Sequence, residues 1–449
     1  AKKILDWANG NGYGNNVEIL GFVDGDVSLK WIRNAGGKII NLLCKGSLKH
    51  CTQQLRKEPE EHINDIKQVI QNAGKMGITV NVYLEDWSNG MRNSPDYVFH
   101  FIDALKAEPI NRFMLPDTLG ILNHVETYNF IKQIVDRYPS FNFDFHAHND
   151  YDLATANVYA AIQAGVTSIH TTVNGLGERA GNVPISSVIG VVKDHFHYDM
   201  SINEKKLYLV SKIVESFSGV RIPANKPLIG EFVFTQTSGI HADGDNKNNL
   251  YHNDLKPERF NRKRVYALGK MSGKANIKKN LEELGIELDN DSMKIVTEKI
   301  IELGDKKEVV TQEDLPYIIA DALKSQQINQ RINIKNYNLS VAAGLRSVAT
   351  LSIEIDGKVY QETASGDGQY DAFMTALWRI YDRLGKSKPK LIDYNVSIPP
   401  GGKTDALCQT TITWNLNKRQ FKTRGLDSDQ AIAAIKATIK MLNLIENNN

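Results

Sequence analysis

The sequence predicts an α/β fold built on a parallel (β/α)8 barrel, followed by helical segments and a C-terminal α+β domain. Three observations carry that expectation. Short β-rich runs alternate with helical stretches from Val17 to about His195, the spacing of βα units around a parallel sheet. Polar side chains recur where those runs end, at Asp24, Lys45, Glu85, Asp117, His146 with His148, and Asn174. Barrel enzymes carry their chemistry at such strand C-termini. From Tyr337 onward, strand, glycine-containing turn and helix follow one another twice, which suggests a pseudo-twofold unit.

Strands are expected at 17–23, 38–43, 79–85, 112–116, 141–146 and 168–173, with helices at 28–34, 59–76, 95–107, 125–138 and 153–164. Gly36-Gly37, Gly77 and Gly165 stand just after helices, where a left-handed cap costs glycine little. Six βα units are counted, and residues 1–8 read as the middle of an amphipathic helix with no cap before it. An open six-stranded sheet competes with a barrel whose first two strands lie upstream of Ala1. The second is preferred, so residues are expected to precede this chain. Residues 1–197 are read as the partial barrel, 198–325 as helical linker subdomains, and 326–449 as a separate domain entered through a Gln/Asn-rich linker at 325–336. In that last domain, strands at 350–355 and 410–414 precede helices at 370–384 and 429–444.

Composition narrows the function classes. With 54 basic against 52 acidic residues the net charge is +2, which gives no electrostatic reason to expect a nucleic-acid or membrane partner. No apolar run approaches the roughly 18 residues of a membrane span. Cys44, Cys51 and Cys408 are odd in number and scattered, offering neither a disulfide framework nor a cysteine zinc site. A reducing cytoplasm is the natural compartment.

The sharpest local signal is His146-Ala-His148-Asn-Asp150. On an extended chain, residues i and i+2 face the same way, so both imidazoles can converge on one ion. Two neutral nitrogens suit zinc, manganese, iron or cobalt, and a carboxylate is expected as third ligand. The competing reading is a pair of histidines hydrogen-bonded at a strand end. The loop Asn174-Gly-Leu-Gly-Glu-Arg-Ala-Gly-Asn182 lets backbone approach a ligand closely, and Asn182 can offer an oxygen to the same ion. It does not match the dinucleotide fingerprint, and an ordinary turn is an equal alternative. Glu85 ends an otherwise apolar strand, either as a salt-bridged structural group or as an acid/base relay. Thr118 can donate to a substrate carboxylate, although helix capping by Asp117 or Thr118 explains the same residues. His241 and Tyr251, in a loop rich in Gly, Asp and Asn, have on local grounds a structural role as the stronger reading.

Taken together, His146-Ala-His-Asn-Asp150, the 174–182 loop, Leu115-Pro-Asp-Thr118 and Gly239-Ile-His-Ala-Asp243 resemble the DRE-TIM metallolyase superfamily, in its Claisen-condensing branch. The resemblance extends to Gly366-Asp-Gly-Gln-Tyr-Asp-Ala-Phe373 and Pro399-Pro-Gly-Gly-Lys-Thr-Asp-Ala406, and so runs nearly the length of the chain. It implies an acyltransferase that condenses acetyl-CoA with a 2-oxo acid held on a divalent metal ion (Zn, Mn or Mg), followed by thioester hydrolysis. It implies His146 and His148 as metal ligands with Asn182 near the ion, and Thr118 on the oxo-acid carboxylate. Glu85, His241 and Tyr251 become the acid/base apparatus, the last two reaching a partner subunit's barrel. Stretches at 18–23, 41–46 and 82–90 look most like the citramalate synthases, next the 2-isopropylmalate synthases. Leu20, Leu43 and Tyr83 would then wall a pocket that admits the methyl of pyruvate and crowds an isopropyl group. The resemblance further implies a homodimer whose C-terminal domain binds isoleucine or leucine as feedback inhibitor in branched-chain amino-acid biosynthesis.

One feature departs from that pattern. The superfamily's Arg-Asp-Gly signature, which supplies a metal-ligating Asp and a substrate-contacting Arg, occurs nowhere in the sequence. It would belong to the two strands expected upstream. The chain as written is therefore expected to bind metal weakly and catalyse poorly, as a fragment of an active enzyme. The alternative from another class is an amino-acid-sensing or assembly module that has lost catalysis.

Overall fold

The computed structural model describes residues 2–238, 241, 243–244, 250–270, 272–284, 286–305, 310, 315–323, 331–398, 408–417 and 419–447. They fall into two compact units, Ala1–Phe234 with His252–Arg264 and Thr235–Tyr251 with Val265–Asn449. The stretch expected as helical linker subdomains is shared between them.

The first unit opens with helix α1 (Lys2–Gly10), which buries Leu5 and Ala8. Strands β1 (Glu18–Phe22), β2 (Ile39–Lys45), β3 (Thr79–Glu85), β4 (Ile110–Asp117), β5 (Phe143–Ala147) and β6 (Ser168–His170) follow, joined by helices α2 (Val27–Asn34), α3 (Pro59–Lys75), α4 (Trp87–Asn93), α5 (Pro95–Leu105), α6 (His124–Arg137) and α7 (Ala154–Ala164). After the sheet come α8 (Ile185–His195) and α9 (Leu207–Ser218). All strand pairs are parallel, in the unbroken order β1-β2-β3-β4-β5-β6. Because crossovers between parallel strands are right-handed, a sheet that only advances must lay every helix on one face. That is the winding of a barrel wall, unlike a doubly wound sheet, whose order reverses.

Alternation then divides the strand residues cleanly. Ile40, Leu42, Val80, Val82, Leu84, Phe113, Leu115, Phe143, Phe145 and Ala147 pack with Ile66, Ile70, Phe101, Ile131 and Val158 of the helices in one apolar core. Their neighbours Asn41, Lys45, Asn81, Glu85, Arg112, Asp144, His146 and His170 point to the other face. Asn111 Nδ2 donates to Asn81 Oδ1 and Asn81 Nδ2 to Asn41 Oδ1, both at 2.8 Å, so polar groups there satisfy one another across strands. Two differences from the sequence reading stand out. The sixth strand ends at His170 rather than 173, because Thr172 leaves the ladder to pair with Pro184. Helix α4, for which the sequence reading assigned no element, buries Trp87 and Met91.

The second unit begins with the parallel pair β7 (Thr235–Gln236) and β8 (Val265–Tyr266). Helices α10 (Lys274–Leu284), α11 (Asn290–Asp305) and α12 (Leu315–Leu323) enclose a small core of Leu268, Ile277, Leu281, Val296, Ile300 and Leu315. Two antiparallel three-stranded sheets come last. Strands β9 (Ile332–Ser340), β10 (Ser347–Ile355) and β11 (Lys358–Gly366) lead into helix α13 (Gln369–Arg383). Strands β12 (Lys390–Ser397), β13 (Cys408–Leu416) and β14 (Arg419–Asp427) lead into α14 (Gln430–Asn447). The expected twofold repeat is present, with three strands per copy where one was anticipated. The expected linker at 325–336 is corrected in part: 325–330 lie outside the described residues, whereas Ile332 starts a strand. Ile332 and Ile334 alternate with polar residues there, and the buried Asn443 of α14 bonds both the N–H and the C=O of Ile332. Gly366 and Gly425 occupy matching places under α13 and α14, where a Cβ would overlap helix backbone. The motif at 399–406 lies outside the described residues.

Candidate metal and acid/base site

At the C-terminal ends of β2–β5 the polar face becomes a site. His146 is on β5 and His148 two residues beyond, and their ring centroids lie 5.0 Å apart at 72°. Burial, with the neighbouring His170 and His148, pushes the His146 imidazole down to about 3, and burial beside Arg179 lowers His148 as well. Both rings are therefore neutral near pH 7, the form with a lone pair to give a metal.

The glycine loop returns its end to this pair. The N–H of Asn149 donates to Gly181 O at 2.9 Å, that of Val183 to Ala147 O at 3.1 Å, and His148 forms an isolated bridge with Asn182. Glycine is required at 177, where a Cβ would overlap the Asn182 amide, and at 181, where φ is +87° and a Cβ would overlap Gly175 O. The Asn182 Nδ2 donates to Leu176 O at 3.2 Å, which leaves Oδ1 as the free acceptor. Among the described residues, Asn182 Oδ1 and His148 Nδ1 are buried with no hydrogen-bond partner. Two buried acceptors left open beside a neutral imidazole suit a cation. The carboxylate expected as third ligand is not found: no group of three or more His, Cys, Asp or Glu among the described residues is arranged to hold an ion. Asp150, the nearest in sequence, is occupied by Arg179.

That arginine ties three loops together. Its guanidinium donates to both carboxylate oxygens of Asp150 (2.8 and 3.0 Å) and to the carbonyl of Thr118 (2.8 Å), from a backbone at φ +56°. Thr118 in turn accepts the Asp86 N–H at 2.9 Å through Oγ1, so its hydroxyl hydrogen remains available to a ligand. Neither Thr118 nor the neighbouring Asp117 caps a helix: Asp117 accepts from the N–H groups of Ile121 and Leu122 at 3.0 Å each, in the turn before helix α6, whose cap is Asn123. Replacing Arg179 with Met should release the Thr118 loop and raise KM for a 2-oxo acid about tenfold or more, with KM for acetyl-CoA near the parent value. Steady-state kinetics in both substrates measure this, and equal rises in the two constants would contradict it.

Glu85 ends β3 directly across from Lys45 on β2. Its Oε2 pairs with the Lys45 ammonium, a partner the sequence reading did not assign. The backbone of Lys45 is held from the helix side: its N–H donates to His62 Nε2 at 3.1 Å and its C=O accepts from Tyr97 OH at 2.9 Å. Burial pushes the His62 imidazole down to about 4 from 6.5, and protonation would remove the acceptor Lys45 uses. Between those values the unfolded chain binds the proton and the folded one does not, so stability falls as pH drops through that window. The loss by pH 4 relative to pH 7 is expected on the order of 3 kcal/mol from this group, and His62→Gln should shrink it. Urea melts across the range measure the difference; identical pH profiles would contradict the assignment.

The proposed pocket walls are arranged in rows. Leu43 and Tyr83 are paired in register, and the Tyr83 ring meets His146 edge-on at 6.0 Å. Phe22 and Met114 complete that row, on β1 and β4. Leu20 faces Asn41 one row below and is 48% exposed on the edge strand, so the structure brings Phe22, not Leu20, beside Leu43. Arg112, within 3.2 Å of Asp144, and the half-buried His170, at 3.1 Å from the same buried carboxylate, form a further cluster beside His146. His241 and Tyr251 belong to the second unit, where their rings stack at 4.2 Å and His241 Nδ1 faces Gln236 Oε1 at 3.2 Å. Phe22, Met114 and Arg179 were not singled out from sequence, and Lys45 was noted only as a polar strand end. Strand alternation pointed at Phe22 and Met114; nothing local singled out Arg179.

Comparison with known proteins agrees along the whole chain. Residues 22–214 match the HMGL-like family, 228–308 the homocitrate synthase post-HMGL domain-like family, and 309–446 the LeuA allosteric (dimerisation) domain. A 2-isopropylmalate synthase of Methylorubrum populi is 31% identical over 92% of this chain and 79% of its own length. The (R)-citramalate synthase CimA of Methanocaldococcus jannaschii is 28% identical over 97% and 87%, and the 2-isopropylmalate synthase of the same organism 30% over 88% and 76%. Among solved structures, the hydroxymethylglutaryl-CoA lyase from Pseudomonas aeruginosa aligns at 17% identity with a TM-score of 0.42, over 46% of this chain and 71% of that one.

Proposed function

This chain belongs to the acetyl-CoA-condensing synthase family that includes the (R)-citramalate and 2-isopropylmalate synthases, and from that premise we propose that it joins acetyl-CoA to pyruvate, giving (R)-citramalate and CoA. The observation that favours pyruvate is the row Phe22–Leu43–Tyr83–Met114 across β1 to β4, on the face that carries His146, with the Tyr83 ring edge-on to the imidazole at 6.0 Å. Bulky side chains there leave room for a methyl and crowd an isopropyl group.

His146, His148 and the Asn182 oxygen would hold a divalent cation (Zn, Mn or Mg), which when bound draws electrons from the ketone. Thr118 donates its hydroxyl hydrogen to the oxo-acid carboxylate. Glu85 removes a proton from the acetyl methyl group, and the resulting carbon nucleophile attacks the keto carbon. His241 and Tyr251 from a second copy of the chain supply the proton that the new alkoxide takes up. Water then cleaves the thioester, releasing CoA as thiol. The C-terminal repeat is read as a dimerising domain that binds isoleucine, or leucine should the substrate be the larger acid.

A thiol-release assay with pyruvate and 2-oxoisovalerate tests the reading. Higher kcat/KM on pyruvate supports it; higher kcat/KM on 2-oxoisovalerate replaces it with 2-isopropylmalate synthesis. Release from neither acid, with calorimetric heat on adding isoleucine or leucine, would assign a sensing role without catalysis.

A further inference from the structure

We propose that Lys45 is a positioning residue for the Glu85 carboxylate, an inference that rests on the condensation reading above. Three observations converge on it. Lys45 and Glu85 are register partners at the ends of β2 and β3, and Nζ engages Oε2. The lysine side chain is only 8% exposed, so its ammonium has given up most of its hydration. And the backbone at this point is tied on every side. Besides the bonds to His62 and Tyr97, the next residue, Gly46, donates its N–H to the carbonyl of Glu85 at 2.6 Å, and a Cβ on Gly46 would run into the Leu84–Glu85 strand.

The pattern continues into the loops that follow. Ser47 donates to Asp86 Oδ2 at 2.7 Å, and the Asp86 N–H donates to Thr118 Oγ1. A single connected path of hydrogen bonds thus runs from the Lys45 backbone past Glu85 to the residue assigned to the substrate carboxylate. Stability does not explain this arrangement. A buried ion pair recovers little beyond its desolvation cost, and an apolar pair of similar volume would serve the sheet as well or better. Cys44 and Leu84, the strand neighbours of these two residues, are buried among the helices, so the pair stands on the other face with His146. A glutamate has three side-chain torsions to restrain, and a fixed ammonium opposite it restrains them. Proton abstraction from carbon gains from such restraint, because a base that wanders is rarely aligned with the bond it must break.

The test is a double-mutant cycle in the parent protein, read by thiol release with pyruvate and acetyl-CoA. Lys45→Met, which keeps the volume, should lower kcat about 10- to 100-fold with both KM values within about twofold. In a Glu85→Gln background the same change should cost no more than about twofold. Lys45→Ala should regain part of its lost kcat with added ethylammonium and not with ethanol. Equal losses in the two backgrounds, or a raised KM with unchanged kcat, would overturn the proposal and make Lys45 a substrate-binding group. A parent enzyme that turns over beside an equally active Lys45→Met variant sinks this inference alone. A parent that releases no thiol from any 2-oxo acid removes the functional reading and this inference together.

Discussion

Alanine at His146 or His148 should strip the protein of retained divalent metal and lower thiol release about 10³-fold or more. The expectation follows from the donor set. Among the described residues, His148 Nδ1 and Asn182 Oδ1, joined through the bridge between these two residues, are buried acceptors without a partner, as is Asp144 Oδ1 two residues before His146, so each imidazole is a large share of what a cation would grip. Neither ring is spoken for by protonation, since burial holds both in the neutral form. His170 supplies the control. Its ring centroid lies 5.6 Å from that of His146, yet its Nε2 faces Asp144, so His170→Ala should leave metal retention near the parent level. Elemental analysis after dialysis, set against kcat for the three variants, measures the contrast. Equal metal content in His146→Ala and parent would end the assignment.

Glu85→Gln should cost about 10²- to 10⁴-fold in kcat while leaving both KM values close to the parent. The amide has the shape of the carboxylate and still accepts from Lys45, so the strand ends stay in place and only basicity is lost. Exchange of acetyl-CoA methyl protons with deuterated solvent, followed in the presence of a non-condensing oxo-acid analogue, should fall in parallel. A variant that keeps exchanging at the parent rate would move the base elsewhere, with His241 and Tyr251 the first places to look.

Much of this could be read from the chain itself, and the failures have identifiable causes. Five of the six barrel strands were placed closely, because a strand covered by helices on one face shows a dense apolar alternation such as Val80, Val82 and Leu84. The outer strands of the C-terminal sheets were passed over for the opposite reason. In β9, exposed Asn, Lys and Tyr dilute an alternation that holds for Ile332 and Ile334 and changes parity before Leu339, and an asparagine 111 residues away completes its bonding. His146 and His148 were legible because both imidazoles come from one segment of the chain. Lys45 was noted at a strand end but its partner was not, since 40 residues separate it from Glu85 and only sheet register joins them. Arg179 was hidden more deeply: its role depends on Asp150 and on the carbonyl of Thr118, and a carbonyl has no signature in sequence. Leu20, assigned to the pocket wall from sequence, stands two residues along the same face of β1 from Phe22, the register partner of Leu43.

Since the sheet winds in one direction only, what holds this unit together and what it does to a ligand are written on alternate letters of the same strands. Leu43 and Tyr83 belong to the face that carries His146, whereas Leu42 and Val82, which stand next to them in the chain, answer to the helices. A change on one face of such a strand therefore leaves the packing on the other face in place.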